Sequence, residues 1–231
     1  MPKRAKKAAK NQKKAIERER RRREADAQAA RALAAGKDPR YEDIREIHGS
    51  TIRLVRNRET RDELVAKTFD SREQFENEKR VLIRCEDDKG KEAIIQFKGQ
   101  FEPGLVLYLE YAPGGSLKEL LDEKPAGLDE VEVRNWASKA LDILIYLHMH
   151  HDLAHLDFKA ENMLLWGRHH NQLRGCDLES ASKFGQRRSI YVSPYICPPE
   201  LAEHIASGGG DGLRAAPPRT SGRWVSPSST C

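Results

Sequence analysis

Eight consecutive residues, His155-Leu156-Asp157-Phe158-Lys159-Ala160-Glu161-Asn162, bring together an imidazole, two carboxylates, an ammonium and a primary amide. Those groups accept protons, neutralise anions and offer hard oxygens to a small divalent cation. Taken singly, each has an ordinary explanation. An aspartate after a leucine is usually a turn or helix cap, a loop asparagine bonds its own backbone, and a lone lysine is solvated. Order lifts the stretch above that background. Leu64-Val65-Ala66-Lys67-Thr68-Phe69 reads as a strand with one lysine. Phe75-Glu76-Asn77-Glu78-Lys79-Arg80-Val81-Leu82 reads as a helix with Glu78 at its middle, and Leu105 to Glu110 as a continuous apolar strand leading into Tyr111-Ala112-Pro113-Gly114-Gly115-Ser116-Leu117. Downstream stand Cys176-Asp177-Leu178-Glu179 and Cys197-Pro198-Pro199-Glu200. Single short motifs recur by chance, whereas an ordered series of them rarely does.

This series resembles a eukaryotic-type protein kinase of the Ser/Thr type, whose catalytic loop reads H-R-D-L-x-x-x-N. The resemblance implies that Asp157 accepts the proton of a protein substrate's hydroxyl and that Lys159 neutralises charge on the transferring phosphoryl group. It makes Asn162 and Asp177 the ligands of Mg2+ and has Lys67, ion-paired with Glu78, orient the phosphates of ATP. Adenine would bond to backbone at Glu110 and Ala112, with Leu109 as gatekeeper, and Gly49 would belong to the loop over the phosphates. His155 would pack under the activation segment. Ser189, Tyr191 and Ser193 would be candidate phosphorylation sites, Ser193 alternatively lining the peptide groove. Phosphoryl transfer is mostly positioning and neutralisation of anionic charge, which is why lysines and hard oxygen ligands are required together.

The fold implied is α+β and two-lobed, with an N-lobe of antiparallel sheet plus one helix and an incomplete, mainly helical C-lobe. The expected divisions are a basic helical or disordered extension over 1–40, the N-lobe over 41–112, a partial C-lobe over 113–205 and a tail over 206–231. A helix is expected from about Asp129 to His148, its core stripe formed by Val133, Trp136, Ala140, Ile143, Leu144 and Leu147.

Three departures from the family pattern bear on activity. Ile44 to Val55 lies where G-x-G-x-x-G-x-V belongs yet holds only Gly49, and side chains there obstruct close approach of backbone N–H groups to phosphate. Leu178-Glu179 replaces Phe-Gly, removing a flexible hinge while keeping an apolar side chain. Leu156 replaces the arginine that grips a phosphorylated activation segment, so control by such a phosphate is not expected; Arg187 and Arg188 are the alternative grip. The poor glycine loop, together with the family's later helices that are missing after Glu200, motivates a second reading, a pseudokinase or truncated regulatory binding module.

The stretch after Glu200 offers Leu201 to Ile205 and then a glycine-rich linker, where the family continues into helices that pair this glutamate with an arginine. The expectation is that the tail from about Pro218 to Cys231 is read out of frame. Starting each codon one base earlier permits D-V-W-A-L-G, which resembles the start of the family's next helix. Composition alone favours a disordered Ser/Pro/Gly tail.

Residues 1–40 hold 15 Lys/Arg and 5 Asp/Glu, a local charge of +10 within a chain whose net is +5. Basicity is therefore confined to this arm, which favours helix by composition but has Ile16 and Leu33 as nearly its only large apolar residues. Its Lys3–Lys7 and Arg20–Arg23 runs suit an anionic partner or an import receptor, or no specific ligand at all. No apolar run is long enough for a membrane span or signal peptide, so a cytoplasmic or nuclear location is expected. Cys85, Cys176, Cys197 and Cys231 form no close pair, which fits reduced thiols. His148, His150, His151 and His155 crowd one helix end without the spacing of a metal site.

Overall fold

The computed structural model describes residues 2–167, 171–188 and 213–214. Ser189, Tyr191, Ser193, Cys197–Glu200 and the segment read as out of frame lie outside the described residues.

Helix α1 (Pro2–Ala34) is long and charged, with Arg21 and Arg23 each paired to a glutamate four residues earlier and Ile16 and Leu33 exposed. None of its described side chains belongs to the core. Beyond it, β1 (Tyr41–His48), β2 (Ile52–Asn57) and β3 (Glu63–Thr68) lead to helix α2 (Arg72–Arg84), capped by Ser71. Phe75, Glu78, Val81 and Leu82 recur at helical spacing and are the face it buries. The one-turn α3 (Gly90–Ala93), β4 (Phe97–Phe101) and β5 (Val106–Glu110) complete the lobe, whose sheet is antiparallel in the order β1-β2-β3-β5-β4. Leu105, read as the first residue of β5, instead adopts a left-handed φ of 48° closing the turn Glu102–Gly104, so pairing begins at Val106.

Alternation along the strands sorts this sheet into two faces. Lys67 lies opposite Ile52 and Leu107, and Val65 opposite Leu54 and Leu109. Leu107 and Leu109 join Phe75, Leu82, Ile143, Leu147, Leu165 and Leu178 in the principal core. The other face collects Val55, Ala66, Phe101, Val106 and Tyr108. Residues just after α1 attach there: Tyr41 stacks on Tyr108 with ring centroids 4.0 Å apart, and the buried Asp38 carboxylate accepts from the Tyr108 hydroxyl at 3.1 Å and from Arg40 at 2.6 Å. Burial pushes the Asp38 carboxyl upward, but Arg40 outweighs it and holds the group below its usual range.

The second lobe opens with α4 (Leu117–Asp122) and α5 (Glu130–Ile145), both begun by capping boxes, Ser116 with Glu119 and Asp129 with Glu132. A π-helical turn, Tyr146–His150, continues α5, so the expected helix is present with a changed last turn. Ile143 and Leu147 are buried, and Trp136, Ala140 and Leu144 partly so. Val133 is not core: it is 50% exposed, because the second half of α5 is what packs, where Ile143 lies against Gly175. Four short strands follow, β6 (Leu153–Ala154), β7 (Met163–Trp166), β8 (Gln172–Gly175) and β9 (Ser182–Lys183), paired as β6 with β9 and β7 with β8. Arg187–Arg188 (β10) pairs with Leu213–Arg214 (β11). A backbone bond joins the lobes from Ile95 N–H to Gly175 O at 3.0 Å, and within the second lobe Leu165 N–H donates to Gly115 O at 2.9 Å. Among the described residues no helix is long and apolar enough to cross a membrane. The architecture is α+β in two lobes, the expected class.

Candidate active site

Strand β3 and helix α2 meet at one ion pair, with Lys67 Nζ 2.6 Å from Glu78 Oε2. Glu78 is fully buried and Lys67 nearly so. Lys67 also contacts the Asp177 carboxylate, and Glu179 Oε2 lies 3.3 Å away, so three carboxylates surround a single ammonium. Burial opposes charge on Lys67, yet Glu78, Asp177 and Glu179 outweigh it and raise its affinity for the proton. Burial pushes the Glu78 carboxyl up, Lys67 opposing, and its Oε1 has no hydrogen-bond partner. For Asp177 burial pushes up, but Lys67 prevails and the carboxyl lies below its ordinary value.

The loop between β6 and β7 supplies the opposite wall. Asn162 donates its amide N–H to both the backbone oxygen and Oδ2 of Asp157, each at 2.9 Å, and Lys159 Nζ lies 2.8 Å from the same Oδ2. With its nitrogen committed, the Asn162 amide presents its oxygen elsewhere. Cys176 N–H donates to the Asn162 carbonyl at 2.9 Å, which brings this loop to the residue before Asp177. Asn162 and Asp177 thus offer an amide and a carboxylate oxygen, a hard donor set that fits Mg2+ and not a soft metal.

Two non-glycine residues here hold left-handed backbone, Leu156 at φ 66° and Asp177 at φ 60°. Such strain persists only where the surroundings over-determine it. At Leu156 the neighbouring His155 is buried, its ring against Phe158 with centroids 5.5 Å apart. After Asp177, the Leu178 side chain is fully buried in the principal core.

At the junction of the lobes, Ser116 and Leu164 form a bridge, and Gly115 at φ 71° makes the bend, where a Cβ would lie 2.3 Å from the Glu119 carboxylate. Ala112 is buried, and Glu110 accepts from Arg174 at 2.8 Å while the Arg174 guanidinium lies over the Trp166 ring. Val65, Leu109 and Leu164 pack with the core, so Lys67 stands among apolar neighbours on the sheet's inner face. Gly49 serves a tight hairpin: at φ 54° it begins the three-residue turn between His48 and Ile52, with open space where a Cβ would be.

The structure therefore brings Lys67, Glu78 and Asp177 together, and Asp157, Lys159 and Asn162 together, joined through Cys176. Glu110 and Ala112 lie at the end of β5, and Gly49 at the tip of the β1–β2 hairpin. Sequence reasoning missed the grip of α2 on the segment after Asp177. Buried Asn77 donates to Glu179 O at 2.8 Å and to Ala181 O at 3.0 Å, and Gln74 donates to Glu179 Oε1 at 3.2 Å. An acid in the place of a glycine was the visible signal.

Residues 47–209 match the family model described as the protein kinase domain. Serine/threonine-protein kinase TAO1-A of Xenopus laevis is 31% identical over 185 residues, covering 74% of this chain and 18% of that protein. Serine/threonine-protein kinase SAPK4 of Oryza sativa subsp. japonica is 29% identical over 179 residues, covering 73% of this chain and 49% of that protein. The titin homolog of Caenorhabditis elegans is 31% identical over 123 residues, which is 51% of this chain and 1% of that protein. The chain spans less than half the length of each of these relatives. Since the matched region takes up most of the sequence, the chain belongs to the protein kinase domain family.

Proposed function

We propose that this protein is a serine/threonine kinase, transferring the γ-phosphoryl group of ATP to a hydroxyl of a protein substrate. One observation carries the reading: Lys67, Glu78 and Asp177 form a single charged cluster beside a loop in which Asn162 and Lys159 both engage Asp157. Asp157 receives the hydroxyl proton, Lys159 balances charge at the acceptor side, and Lys67, held by Glu78, aligns the phosphates. Asn162 and Asp177 would hold Mg2+, which supplies positive charge against the phosphate oxygens. Adenine is bounded by Leu109 and bonded to backbone at Glu110 and Ala112, with Gly49 in the covering turn. The relatives named as serine/threonine-protein kinases support the choice of acceptor.

In this reading 1–40 is a basic arm for an anionic partner or import receptor, 41–112 the N-lobe, 113–205 a partial C-lobe and 206–231 a tail. The protein works in the cytoplasm, with access to the nucleus through the arm. A second reading, a pseudokinase or regulatory module, is favoured by the single glycine of the covering turn. Thermal denaturation with ATP and MgCl2, followed by transfer of labelled phosphate to a Ser/Thr peptide library, separates them. Stabilisation that needs both ligands and is lost in Lys67→Met and Asp177→Asn supports the kinase; no response to either ligand overturns it.

A further inference from the structure

The residue after Leu178 is glycine in the family pattern and glutamate here, and this acid lies inside the charged cluster. Glu179 Oε2 is 3.3 Å from Lys67 Nζ, its Oε1 accepts from Gln74, and its backbone oxygen accepts from Asn77. Helix α2 thus holds the residue at two points, Gln74 on the carboxylate and Asn77 on the backbone. Ligand oxygens of Glu78, Asp177 and Glu179 lie within 4.8 Å of one another. With Asp157, the cleft holds four carboxylates against two ammonium groups, Lys67 and Lys159; a glycine would leave three against two.

A polyphosphate reaching Lys67 has to take the place of a carboxylate. Glu78 is fully buried on α2 and has no other place to go. Asp177 belongs with the cation. Glu179 and Asp177 are similarly exposed, at 28% and 31%, so with Asp177 given over to the cation it is Glu179 that can withdraw. We propose that Glu179 is a positioning residue that occupies Lys67 as a stand-in for phosphate and makes nucleotide binding conditional on a divalent cation. A bare nucleotide meets the extra negative charge at the lysine, whereas one accompanied by Mg2+ does not.

This inference rests on the kinase reading, and the test separates the two. ATP affinity is measured by titration calorimetry on the full chain, once in EDTA and once in MgCl2, for the wild type, Glu179→Gln, Glu179→Gly and the exposed control Glu73→Gln. Glu179→Gln keeps the size and the acceptor for Gln74 while removing the charge. The expected result is roughly tenfold tighter binding in EDTA for both Glu179 variants, the scale of removing one like charge a few ångströms from phosphate. Binding in MgCl2 changes far less, and Glu73→Gln behaves as wild type. Binding in EDTA that Glu179→Gln leaves unchanged or weakens overturns the inference alone. So does a selective loss of binding in MgCl2, which would make Glu179 a cation ligand. No ATP binding by any variant in either buffer overturns both the inference and the kinase reading.

Discussion

His155 donates its Nε2–H to the carbonyl oxygen of Cys176 at 2.9 Å, while its Nδ1 accepts from the backbone N–H of Asp157 at 3.4 Å. One neutral ring thereby ties the residue before Asp177 to the loop carrying Asp157. Both bonds together require the Nε2–H tautomer; a second proton on Nδ1 would cancel one of them. Burial holds the His155 proton affinity below the ordinary histidine value of 6.5, and burial acts in the same direction on His148 and His151. The unfolded chain therefore binds more protons just below pH 6.5, so stability is fully present above that pH and falls as pH drops through the window beneath it. Urea midpoints between pH 5 and pH 8 check this, and a midpoint independent of pH across that range would contradict it.

Removing the ammonium from the three-carboxylate cluster leaves Glu78 buried without its cation. Lys67→Met should lower stability by about 3 kcal/mol, the low end of what breaking a buried ion pair costs. Adding Glu78→Gln should recover part of that loss, because the uncompensated charge then disappears. Chemical denaturation of both single variants and the double variant measures the coupling, and strict additivity would show that the two groups act independently.

Asp157→Asn keeps the size of the side chain and its contact with Asn162 but removes the proton acceptor. Phosphate transfer should fall by roughly 10²- to 10⁴-fold, the usual contribution of a general base. The affinity for ATP with magnesium should change little. A parallel loss of affinity would mean that Asp157 serves binding instead of proton transfer.

The outer face of the sheet gives a test that does not involve the cleft. Asp38→Ala leaves the Tyr108 hydroxyl without its acceptor and should cost about 1–3 kcal/mol. Deleting residues 1–34 should leave the thermal midpoint nearly unchanged, since none of the described side chains of α1 belongs to the core. If the two effects were reversed, the helix and not Asp38 would be what supports the lobe.

Gly90 sits where a Cβ would lie 1.8 Å from the Cys85 carbonyl oxygen and 2.5 Å from the Tyr146 hydroxyl. Gly90→Ala should destabilise by about 1–3 kcal/mol through overpacking. Tyr146 links this turn to α5, bonding Asp87 at 3.1 Å and His151 at 2.7 Å; urea denaturation of the wild type and Gly90→Ala measures the loss, and equal midpoints would contradict it.

The parts of the molecule that sequence reading reached were those in which local pattern and long-range order agree. Lys67 on β3, Glu78 on α2 and the polar groups from His155 to Asn162 were legible because their order along the chain resembles the kinase series. Where a contact joins distant segments through a residue with an ordinary local role, the sequence offered nothing. Asp38 looks like a turn aspartate, Asn77 like one more polar residue on a charged helix, and Arg174 like an exposed strand arginine. Each acquires its partner only when the chain closes over more than sixty positions. Val133 failed for a different reason: periodicity identifies the side of a helix that can be buried, not how far along its length a neighbour extends.

Strand β1 has a neighbour on one side only, and its pairing with β2 is broken between Asp43 and Arg45 and again between Glu46 and His48. Glu42, Asp43, Arg45 and Glu46 line this interrupted border. A straight, apolar margin would template the addition of a strand from another molecule, whereas a kinked and charged one does not. On this side the sheet that carries Lys67 is thereby a poor seed for a sheet shared between copies; its other margin is β4.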